Sequence, residues 1–465
     1  MYVQTFTYGK VPIHFWEVLV MVLLLFIVYL AGAAIRKRNI AKQPEYKYFI
    51  YGLWTKILGG LFFACIYIFY YVQGDTTSYY ECAMSFSKLF YHDFGNFLQA
   101  YFGDGSPETK SFFTADTGEP MMYMFGESST RFTMKLIVPF MIVSGDSYFI
   151  TTLLVSIFTY GALWRLYMMF SSYFPEYRKQ LAFAILFMPS VMFWGSGILK
   201  DSFTLAATCY LIVAFNQFIQ RKGNMFLNVI SILVFSLVVI SIKAYIMIIL
   251  MPSSFVWLFY NRISKMKNRL LRNLIVPFVY VVIVAGSYFG LKAFGESLGK
   301  FSVDKALKTA SINQNDLKQE YYEGNSFDIG DFEPTIAGAL SKFPQATMAG
   351  LFRPYLWDTR NVVMLLSGLE NLFIMGLTFL VLLRMKWKRI YLFVSDHPII
   401  LYSMVFSVLF AYMVGLTTPN FGALVRFKIP LIPLYMACLM VIYGELRKKH
   451  TLGFEAKKLR KNSVK

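Results

Sequence analysis

Residues 189–203, with the sequence PSVMFWGSGILKDSF, separate two long apolar runs of the chain. The stretch sets a lysine and an aspartate, Lys200 and Asp201, side by side at a predicted membrane edge. Gly195 and Gly197 permit a sharp turn and the close approach of a ligand. Charged residues at membrane depth are costly and are usually functional. Lys200 and Asp201 are therefore candidate site residues, and a helix–helix turn with its own ion pair is the alternative.

The composition around this stretch is that of a membrane protein. Of the 465 residues, 57% are hydrophobic and 15% are charged, whereas soluble domains carry about 25% charged residues. The apolar residues form continuous blocks of roughly twenty, which is the length of a membrane-spanning helix. They do not alternate with polar residues, so a membrane β-barrel is not favoured. We predict an all-α fold, a polytopic membrane bundle of about eleven transmembrane helices.

The predicted spans follow the apolar runs in chain order. They cover 12–35, 49–72, 147–169, 181–196, 202–219, 225–242, 244–260, 274–293, 361–383, 398–416 and 429–445. The spans 181–196 and 202–219 are short, and a partly re-entrant path is the alternative for both. Loops rich in lysine and arginine follow the first, seventh and ninth spans, and the C-terminal tail is also basic. Because such loops stay in the cytoplasm, an odd number of spans places the C-terminus inside and the N-terminus outside. The net charge of +19 is therefore a topology signal, and the expected surroundings are membrane lipids and no nucleic acid.

Three regions follow from this topology. Residues 1–48 hold an N-terminal transmembrane helix and a basic cytoplasmic loop, 49–446 form a membrane-embedded module, and 447–465 form a basic cytoplasmic tail. Two outer segments, 74–146 and 296–360, interrupt the membrane module. The first of them is acidic and partly amphipathic, which predicts helices lying along the membrane surface.

Five short features carry the polar chemistry, and the predicted topology places all of them on the outer side. They are 74–81 with Asp75, 200–201, the turn 241–245 with Lys243, 352–355 with Arg353, and 420–430 with Arg426. A carboxylate can take a proton from an attacking hydroxyl. Arginine and lysine can bind a phosphate or pyrophosphate. One carboxylate and several cations on one face of a bundle suit an anionic, lipid-linked substrate.

Most of these features also have a purely structural interpretation. Asp75 can cap a surface helix, and Lys243 can extend its amine to the membrane interface. Arg353, next to a proline and two aromatic residues, can be a stacked structural arginine. Arg426 and Lys428 run against the general charge bias and can anchor lipid headgroups.

Several other kinds of site are not predicted. The four histidines and four cysteines show no metal-ligand spacing and no disulfide framework. The sequence contains no glycine-rich phosphate loop and no separate nucleotide-binding domain. These observations argue against an ATP-driven pump and against direct use of nucleotide sugars.

The chain resembles the bacterial multi-spanning glycosyltransferases of the GT-C fold. The resemblance rests on Gly74-Asp75 and Tyr79-Tyr80 after the second span, on the pattern PSxxFWxSGxxKD at 189–201, and on RFKIPLIP at 426–433. The last two are similar to segments of membrane proteins of cell-surface polysaccharide assembly. The resemblance covers the chain from about residue 49, so the first span would be an N-terminal addition. Many members carry two adjacent acids in the first outer segment, whereas threonines follow Asp75 here.

The resemblance implies a glycosyltransferase of the bacterial cytoplasmic membrane. It would move a sugar from a polyprenyl-phosphate carrier to a glycan or lipid acceptor on the outer face, with Asp75 as the base that activates the acceptor hydroxyl. The departing phosphate would be held by Lys200, Lys243, Arg353 and Arg426. Asp201 would orient Lys200, or would join Asp75 in binding a divalent metal such as Mg²⁺ or Mn²⁺. Tyr79 and Tyr80 would support the site.

Three other functions stay open. An O-antigen or exopolysaccharide polymerase would act on lipid-pyrophosphate-linked repeats and would depend on Arg353 and Arg426 rather than on Asp75. A transporter or flippase for a lipid-linked glycan would carry polar residues through the middle of its spans. Few are present, since Lys56 lies toward one end of the second span and Glu370 lies inside the ninth. A scaffold in an envelope complex is the third alternative.

Overall fold

The structure, a computed structural model, describes residues 5–8, 11–264 and 325–462, together with positions 308, 311–312 and 316. Regular structure in these residues is helical, apart from one antiparallel hairpin and one isolated bridge. The hairpin joins β1 (Thr5–Tyr8) to β2 (Val11–His14), and the bridge joins Ser326 to Asn420. The predicted all-α class is confirmed.

The α-helices are numbered here in chain order. Those before residue 265 are α1 (Phe15–Asn39), α2 (Phe49–Cys65), α3 (Asp75–His92), α4 (Phe94–Phe102), α5 (Pro107–Lys110), α6 (Met122–Gly126), α7 (Ser128–Ser144), α8 (Tyr148–Tyr173), α9 (Arg178–Leu186), α10 (Pro189–Trp194), α11 (Lys200–Ile219) and α12 (Met225–Ser264). Those after residue 324 are α13 (Ile336–Ser341), α14 (Phe343–Phe352), α15 (Val362–Arg384), α16 (Trp387–Asp396), α17 (Pro398–Thr417), α18 (Phe421–Phe427) and α19 (Ile432–Asn462). Short 3₁₀ segments cover Pro44–Tyr48, Pro175–Tyr177 and Leu356–Asp358, and a π-helical segment covers Ile66–Tyr70.

The chain forms two compact units, each built from two segments. The first unit comprises Met1–Met169 and Pro189–Ala244, and the second comprises Phe170–Met188 and Tyr245–Lys465. The predicted boundaries at residues 48 and 446 divide the chain by membrane topology, which these units do not test. Those boundaries stay a prediction.

Seven described helices are long and apolar enough to cross a membrane, and an eighth span results if one bent pair is counted. The seven are Phe15–Asn39, Pro44–Tyr70, Tyr148–Tyr173, Lys200–Ile219, Met225–Phe255, Val362–Arg384 and Pro398–Thr417. The bent pair is Phe421–Phe427 with Ile432–Lys448, at an angle of 68°. The protein is thus a multi-pass helical membrane protein. The count of eleven and the orientation stay predictions.

The structure differs from the predicted spans in two places. Residues 181–196 form two helices of 9 and 6 residues, α9 and α10, and crossing a bilayer takes about 20 residues. The reason is Pro189, which lacks an amide hydrogen and begins a new helix. The runs 225–242 and 244–260 meet without a loop at Lys243, where φ is −144° and ψ is 79°. The predicted break is therefore present, although Met225–Phe255 counts as one candidate span. The predicted span 274–293 lies outside the described residues.

Helices also occupy the predicted amphipathic parts of the first outer segment. The helices α3, α4 and α7 cover 75–92, 94–102 and 128–144. α3 buries ten of its 18 residues, mostly small or aromatic side chains. An amphipathic pattern here therefore produces helices with a packed face, and their position along the membrane surface stays a prediction.

A buried lysine holds the 189–203 stretch in place. The Lys56 amine donates hydrogen bonds to the carbonyls of Val191, at 2.9 Å, and Gly195, at 2.6 Å. Carbonyls at the C-terminal end of a helix have no partner within the helix, so Lys56 completes the end of α10. A Cβ at Gly195 would lie 3.0 Å from this amine, and a Cβ at Gly197 would overlap the ring of Phe63. Protein atoms, rather than a ligand, fill the space beside both glycines.

We expect Gly197→Ala to destabilise the protein by about 1–3 kcal/mol, the usual cost of overpacking. The Phe63 ring is fully buried and has little room to move away from the added methyl group. Thermal unfolding in detergent measures the change. Gly376→Ala is the matched control, because a Cβ at Gly376 meets no atom within 4 Å. Equal unfolding midpoints for the two variants would refute the packing role.

In the second unit, α14 packs against α17 through small residues. Gly350 lies against the carbonyl of Ala411 and Gly415 against the carbonyl of Ala346, so closely that a Cβ at either glycine would overlap that carbonyl. Small residues at helix contacts are typical of membrane proteins. This packing fixes the C-terminal end of α14, which is followed directly by Arg353.

Candidate functional site

The five polar features divide between the two units. We call the group in the first unit the Asp75 cluster; it contains Asp75, Tyr79, Glu127, Lys200, Asp201 and Lys243. We call the group in the second unit the Arg353 cluster; it contains Phe327, Arg353, Tyr355, Asn371 and Lys428. Each cluster is described by itself.

Asp75 is the first residue of α3 and is exposed. The N-cap position belongs to Gly74, whose φ of 154° favours glycine. The Gly74 amide donates to the Thr77 hydroxyl at 3.1 Å, and that hydroxyl donates to the Gly74 carbonyl at 2.8 Å. Asp75 is therefore not the capping residue that the structural alternative required. Its carboxylate lies at the positive end of the helix dipole, which favours negative charge.

Tyr79 lies one helical turn after Asp75, on the same face of α3. Its side chain is 5% exposed and forms a hydrogen bond with Thr130. Burial raises the pKa of Tyr79 well above its ordinary value, and the hydrogen bond only partly opposes this. Nearby negative charges raise this pKa further; they belong to Asp75, Asp201 and Glu127. The Tyr79 hydroxyl is thus neutral and lies within the electrostatic influence of three carboxylates.

Lys200 pairs with Glu127, a residue that the sequence did not single out. The Lys200 amine lies 3.3 Å from Glu127 Oε2 and donates to the Ser129 hydroxyl at 3.0 Å. Burial acts to raise the pKa of Glu127, but hydrogen bonds from Ser129 and Thr130 and the charge of Lys200 lower it overall. A cation in the first turn of α11 opposes the helix dipole, and Glu127 offsets this. The signal was a glutamate directly before Ser-Ser-Thr, at the start of a helix.

Asp201 pairs with Lys243 and not with its neighbour Lys200. The Lys243 amine lies 2.6 Å from Asp201 Oδ1, and the two side chains are 9% and 1% exposed. Adjacent residues of a helix do not face each other, so Lys200 and Asp201 point to different partners. The predicted role of Asp201 in orienting Lys200, and the alternative of a local ion pair, are both corrected. The Lys243 amine is directed to Asp201.

The described residues do not fit the divalent metal that the resemblance implied. They contain no group of three or more His, Cys, Asp or Glu side chains that could hold a metal ion. The Asp201 carboxylate is also engaged by the Lys243 ammonium, whose positive charge would repel a metal ion. We therefore assign no step to a metal bound by Asp75 and Asp201.

Tyr80 is a packing residue of the first unit. Its side chain is fully buried, and its hydroxyl donates to the carbonyl of Asp146 at 2.7 Å. The ring meets Tyr148 edge to face, with the centroids 5.4 Å apart. Tyr80 therefore holds α3 against the start of α8, and its predicted role in supporting the site stays a prediction.

Arg353 is half-buried at the end of α14 and stacks on aromatic rings. Its guanidinium carbon lies 5.1 Å from the centre of the Phe327 ring and 5.3 Å from that of Tyr355. Stacking of this kind was the structural alternative. It leaves the N–H groups at the edge of the guanidinium available to a ligand, so the observation is compatible with both a structural and a binding role.

Lys428 links the backbone of Arg353 to the side chain of Asn371. Its amine is fully buried and donates to the Arg353 carbonyl at 2.9 Å and to Asn371 Oδ1 at 2.6 Å. This overturns headgroup anchoring for Lys428, because the amine is directed into the protein. Arg426, in contrast, is half-buried in the last turn of α18, and headgroup anchoring stays open for it.

Residues 325–327, in the segment predicted to lie outside, join the stretch before α18. The Phe327 amide donates to the Pro419 carbonyl at 2.8 Å, and the Phe421 amide donates to the Asn325 carbonyl at 2.9 Å. The rings of Phe327 and Phe421 lie 5.3 Å apart. Two of the five predicted features, with Arg353 and Arg426, are thereby brought into one region of the second unit.

The chain matches no protein family model, no curated protein and no solved structure. The resemblance to GT-C enzymes therefore depends only on the short motifs quoted above.

Proposed function

We propose that the protein is a glycosyltransferase that moves a sugar from a polyprenyl-phosphate carrier to a glycan or lipid acceptor. The reaction would take place on the outer face of a bacterial cytoplasmic membrane. The observation that carries the proposal is the Asp75 cluster: an exposed carboxylate at a helix N-terminus, one turn from a buried tyrosine, with two lysine–carboxylate pairs beside it. Such a cluster supplies a base and a cation within one unit.

The chemistry assigns a separate role to each residue. Asp75 takes the proton of the acceptor hydroxyl while the acceptor oxygen forms a bond to the anomeric carbon. The bond between that carbon and the phosphate oxygen breaks, and the polyprenyl phosphate leaves with one more negative charge. Lys200 stabilises this developing charge. Its present partner Glu127 is 53% exposed at 3.3 Å, so an incoming phosphate can compete for the amine.

Lys243 has a positioning role in this proposal rather than direct contact with phosphate. Its amine lies 2.6 Å from Asp201 Oδ1, and the charge of Asp201 adds to the rise in the pKa of Tyr79 that burial causes. The pair thus fixes the start of α11 and the charge around Tyr79. Arg353 and Arg426 belong to the second unit, and no step of the transfer is assigned to them.

Transfer from defined donors tests the proposal. The full chain, purified and reconstituted in vesicles, is given radiolabelled polyprenyl-phosphate and polyprenyl-pyrophosphate sugars together with membrane-extracted acceptors. Transfer from a monophosphate donor is expected. Transfer from pyrophosphate donors alone would replace the proposal with a polymerase. No turnover with any donor, by protein with a cooperative unfolding transition, would overturn it.

We expect Lys200→Gln to lower kcat/KM for the donor about 10- to 100-fold. A hydrogen bond to a charged group contributes about 1.5–3 kcal/mol, and this one would be made to phosphate. The effect on unfolding should stay below about 1 kcal/mol, because the Lys200–Glu127 pair is partly exposed. Lys222→Gln, at an exposed turn, is the control. Unchanged kinetics in Lys200→Gln would remove Lys200 from the phosphate site.

A polymerase is the second candidate, and one observation favours it. Within the described residues, the Arg353 guanidinium stacks on two aromatic rings and pairs with no carboxylate. The flippase alternative gains no such support. Lys56, near the middle of the Pro44–Tyr70 span, is hydrogen-bonded to two carbonyls. Glu370 interacts electrostatically with the buried Lys428. Both mid-span charges therefore have partners within the protein.

A further inference from the structure

A cavity of about 450 Å³ lies beside Arg353 in the second unit. Its polar wall consists of Arg353, Asp328 and Gln345, and its less polar wall includes Tyr355, Met348 and Ile329. Ligand pockets in proteins usually measure about 300–1,000 Å³ and combine apolar walls with a few convergent polar groups. The cavity has both properties, and none of the transfer chemistry assigned to the Asp75 cluster uses it.

The polar groups of this wall are planar and complementary. The Arg353 guanidinium offers only donors, the Asp328 carboxylate offers acceptors, and the Gln345 amide offers both. Asp328 Oδ1 accepts the Gly330 amide at 2.7 Å, which sets the orientation of the carboxylate. Vicinal hydroxyl groups both donate and accept, so they match such a set. A phosphate accepts hydrogen bonds and carries negative charge, so Asp328 would repel it.

An aromatic platform stands beside the cavity. The rings of Tyr355 and Trp357 stack with centroids 4.9 Å apart and an interplanar angle of 27°. Trp357 is 78% exposed, so its ring is not covered by other parts of the protein. The C–H face of a pyranose ring is flat and apolar enough to pack on such a ring while its hydroxyls reach polar groups at the edge.

From these groups we infer that the cavity binds a neutral saccharide segment, with Arg353, Asp328 and Gln345 on its hydroxyls. The Trp357 ring, which is stacked on Tyr355 at the edge of the cavity, would pack against a sugar ring of this segment. The wall carries one cation and one carboxylate, which suits a neutral ligand better than an anionic one. This gives Arg353 a role in sugar recognition instead of the phosphate binding predicted from the sequence. The inference does not depend on the transferase proposal, because binding requires no turnover.

An array of short neutral, carboxylated and phosphorylated oligosaccharides, probed with the labelled full chain in detergent, tests the inference. Binding to at least one neutral glycan is expected, and titration of that glycan then gives its Kd. Trp357→Ala and Arg353→Gln should each raise this Kd about tenfold or more. Trp387→Ala is the control, because Trp387 is similarly exposed, at 72%, but lies on α16, whereas Trp357 is stacked on Tyr355 of the cavity wall.

A variant that blocks the cavity guards against misfolding as an explanation. Gln345 is exposed at the cavity wall, so Gln345→Trp fills space without entering the core, and its unfolding midpoint should match that of the parent. Loss of glycan binding in this folded variant supports the location. Unaltered binding in Gln345→Trp and Trp357→Ala, preference for phosphorylated or carboxylated glycans, or no glycan binding at all would each overturn the inference.

Discussion

Asp75→Asn should lower sugar transfer about 10²- to 10⁴-fold, the usual loss when a positioned general base is removed. Asparagine keeps the size of the side chain but cannot accept a proton from the acceptor hydroxyl. The fold should tolerate the change, because Thr77 rather than Asp75 makes the capping hydrogen bonds with Gly74. Loss of the charge–dipole interaction should cost only about 0.3–1 kcal/mol of stability.

Initial rates at saturating donor, with the acceptor varied, measure this effect. Glu81→Gln is the matched control, since Glu81 lies on the same helix and has no role in the proposed chemistry. Glu81→Gln should keep the parental rate. A rate for Asp75→Asn within a few-fold of the parental rate would exclude Asp75 as the base and would shift attention to the polymerase candidate.

Lys243→Met should destabilise the protein by about 3–5 kcal/mol, the cost of leaving one charge of a buried pair without its partner. Asp201 is 1% exposed and lies 2.6 Å from the Lys243 amine. The double variant Asp201→Asn/Lys243→Met removes both charges, and should recover most of the loss, because well-packed neutral residues often replace a buried ion pair without cost.

Unfolding in mixed detergent micelles, followed by circular dichroism, measures both variants. Lys200→Gln provides the comparison, because its partly exposed pair with Glu127 should contribute less than about 1 kcal/mol. Similar losses for Lys243→Met and Lys200→Gln would contradict a buried pair at Asp201. A double variant as unstable as the single one would show that Lys243 acts through contacts other than Asp201.

The sequence predicts those parts of the fold that depend on neighbouring residues better than those that depend on residues far apart in the chain. The spans ending near Arg384 and Thr417 are confirmed within one residue, because the length of an apolar block is a local property. The block at 181–196 was wrong as one span, although Pro189 was visible in it. The break predicted at 241–245 is present at Lys243. The ion pair that Lys243 forms with Asp201 could not be predicted, because Asp201 lies elsewhere in the chain.

The candidate site was less predictable because its contacts are distant in sequence. Lys200 and Asp201 are neighbours in the chain, yet helical geometry sends them to Glu127 and Lys243, 73 and 42 residues away. Arg426 and Lys428 were grouped as one basic pair, but the structure buries Lys428 under the Arg353 carbonyl. The polar features could be found from their residue types, but which residues pair with each other could only be seen in the folded structure.

The buried lysine of α2 has a consequence for the order in which the protein is made. A lysine near the middle of a span costs about 2.5–3.5 kcal/mol on insertion, and the carbonyl partners of Lys56 follow it by 135 and 139 residues. At about 5–20 residues per second, the ribosome needs roughly 7–27 s to reach Val191. For Lys428 the order is reversed, because its carbonyl partner, Arg353, precedes it in the chain and is already translated when Lys428 emerges. α2 must therefore wait at the insertion machinery, or accept a temporary partner, until α10 emerges.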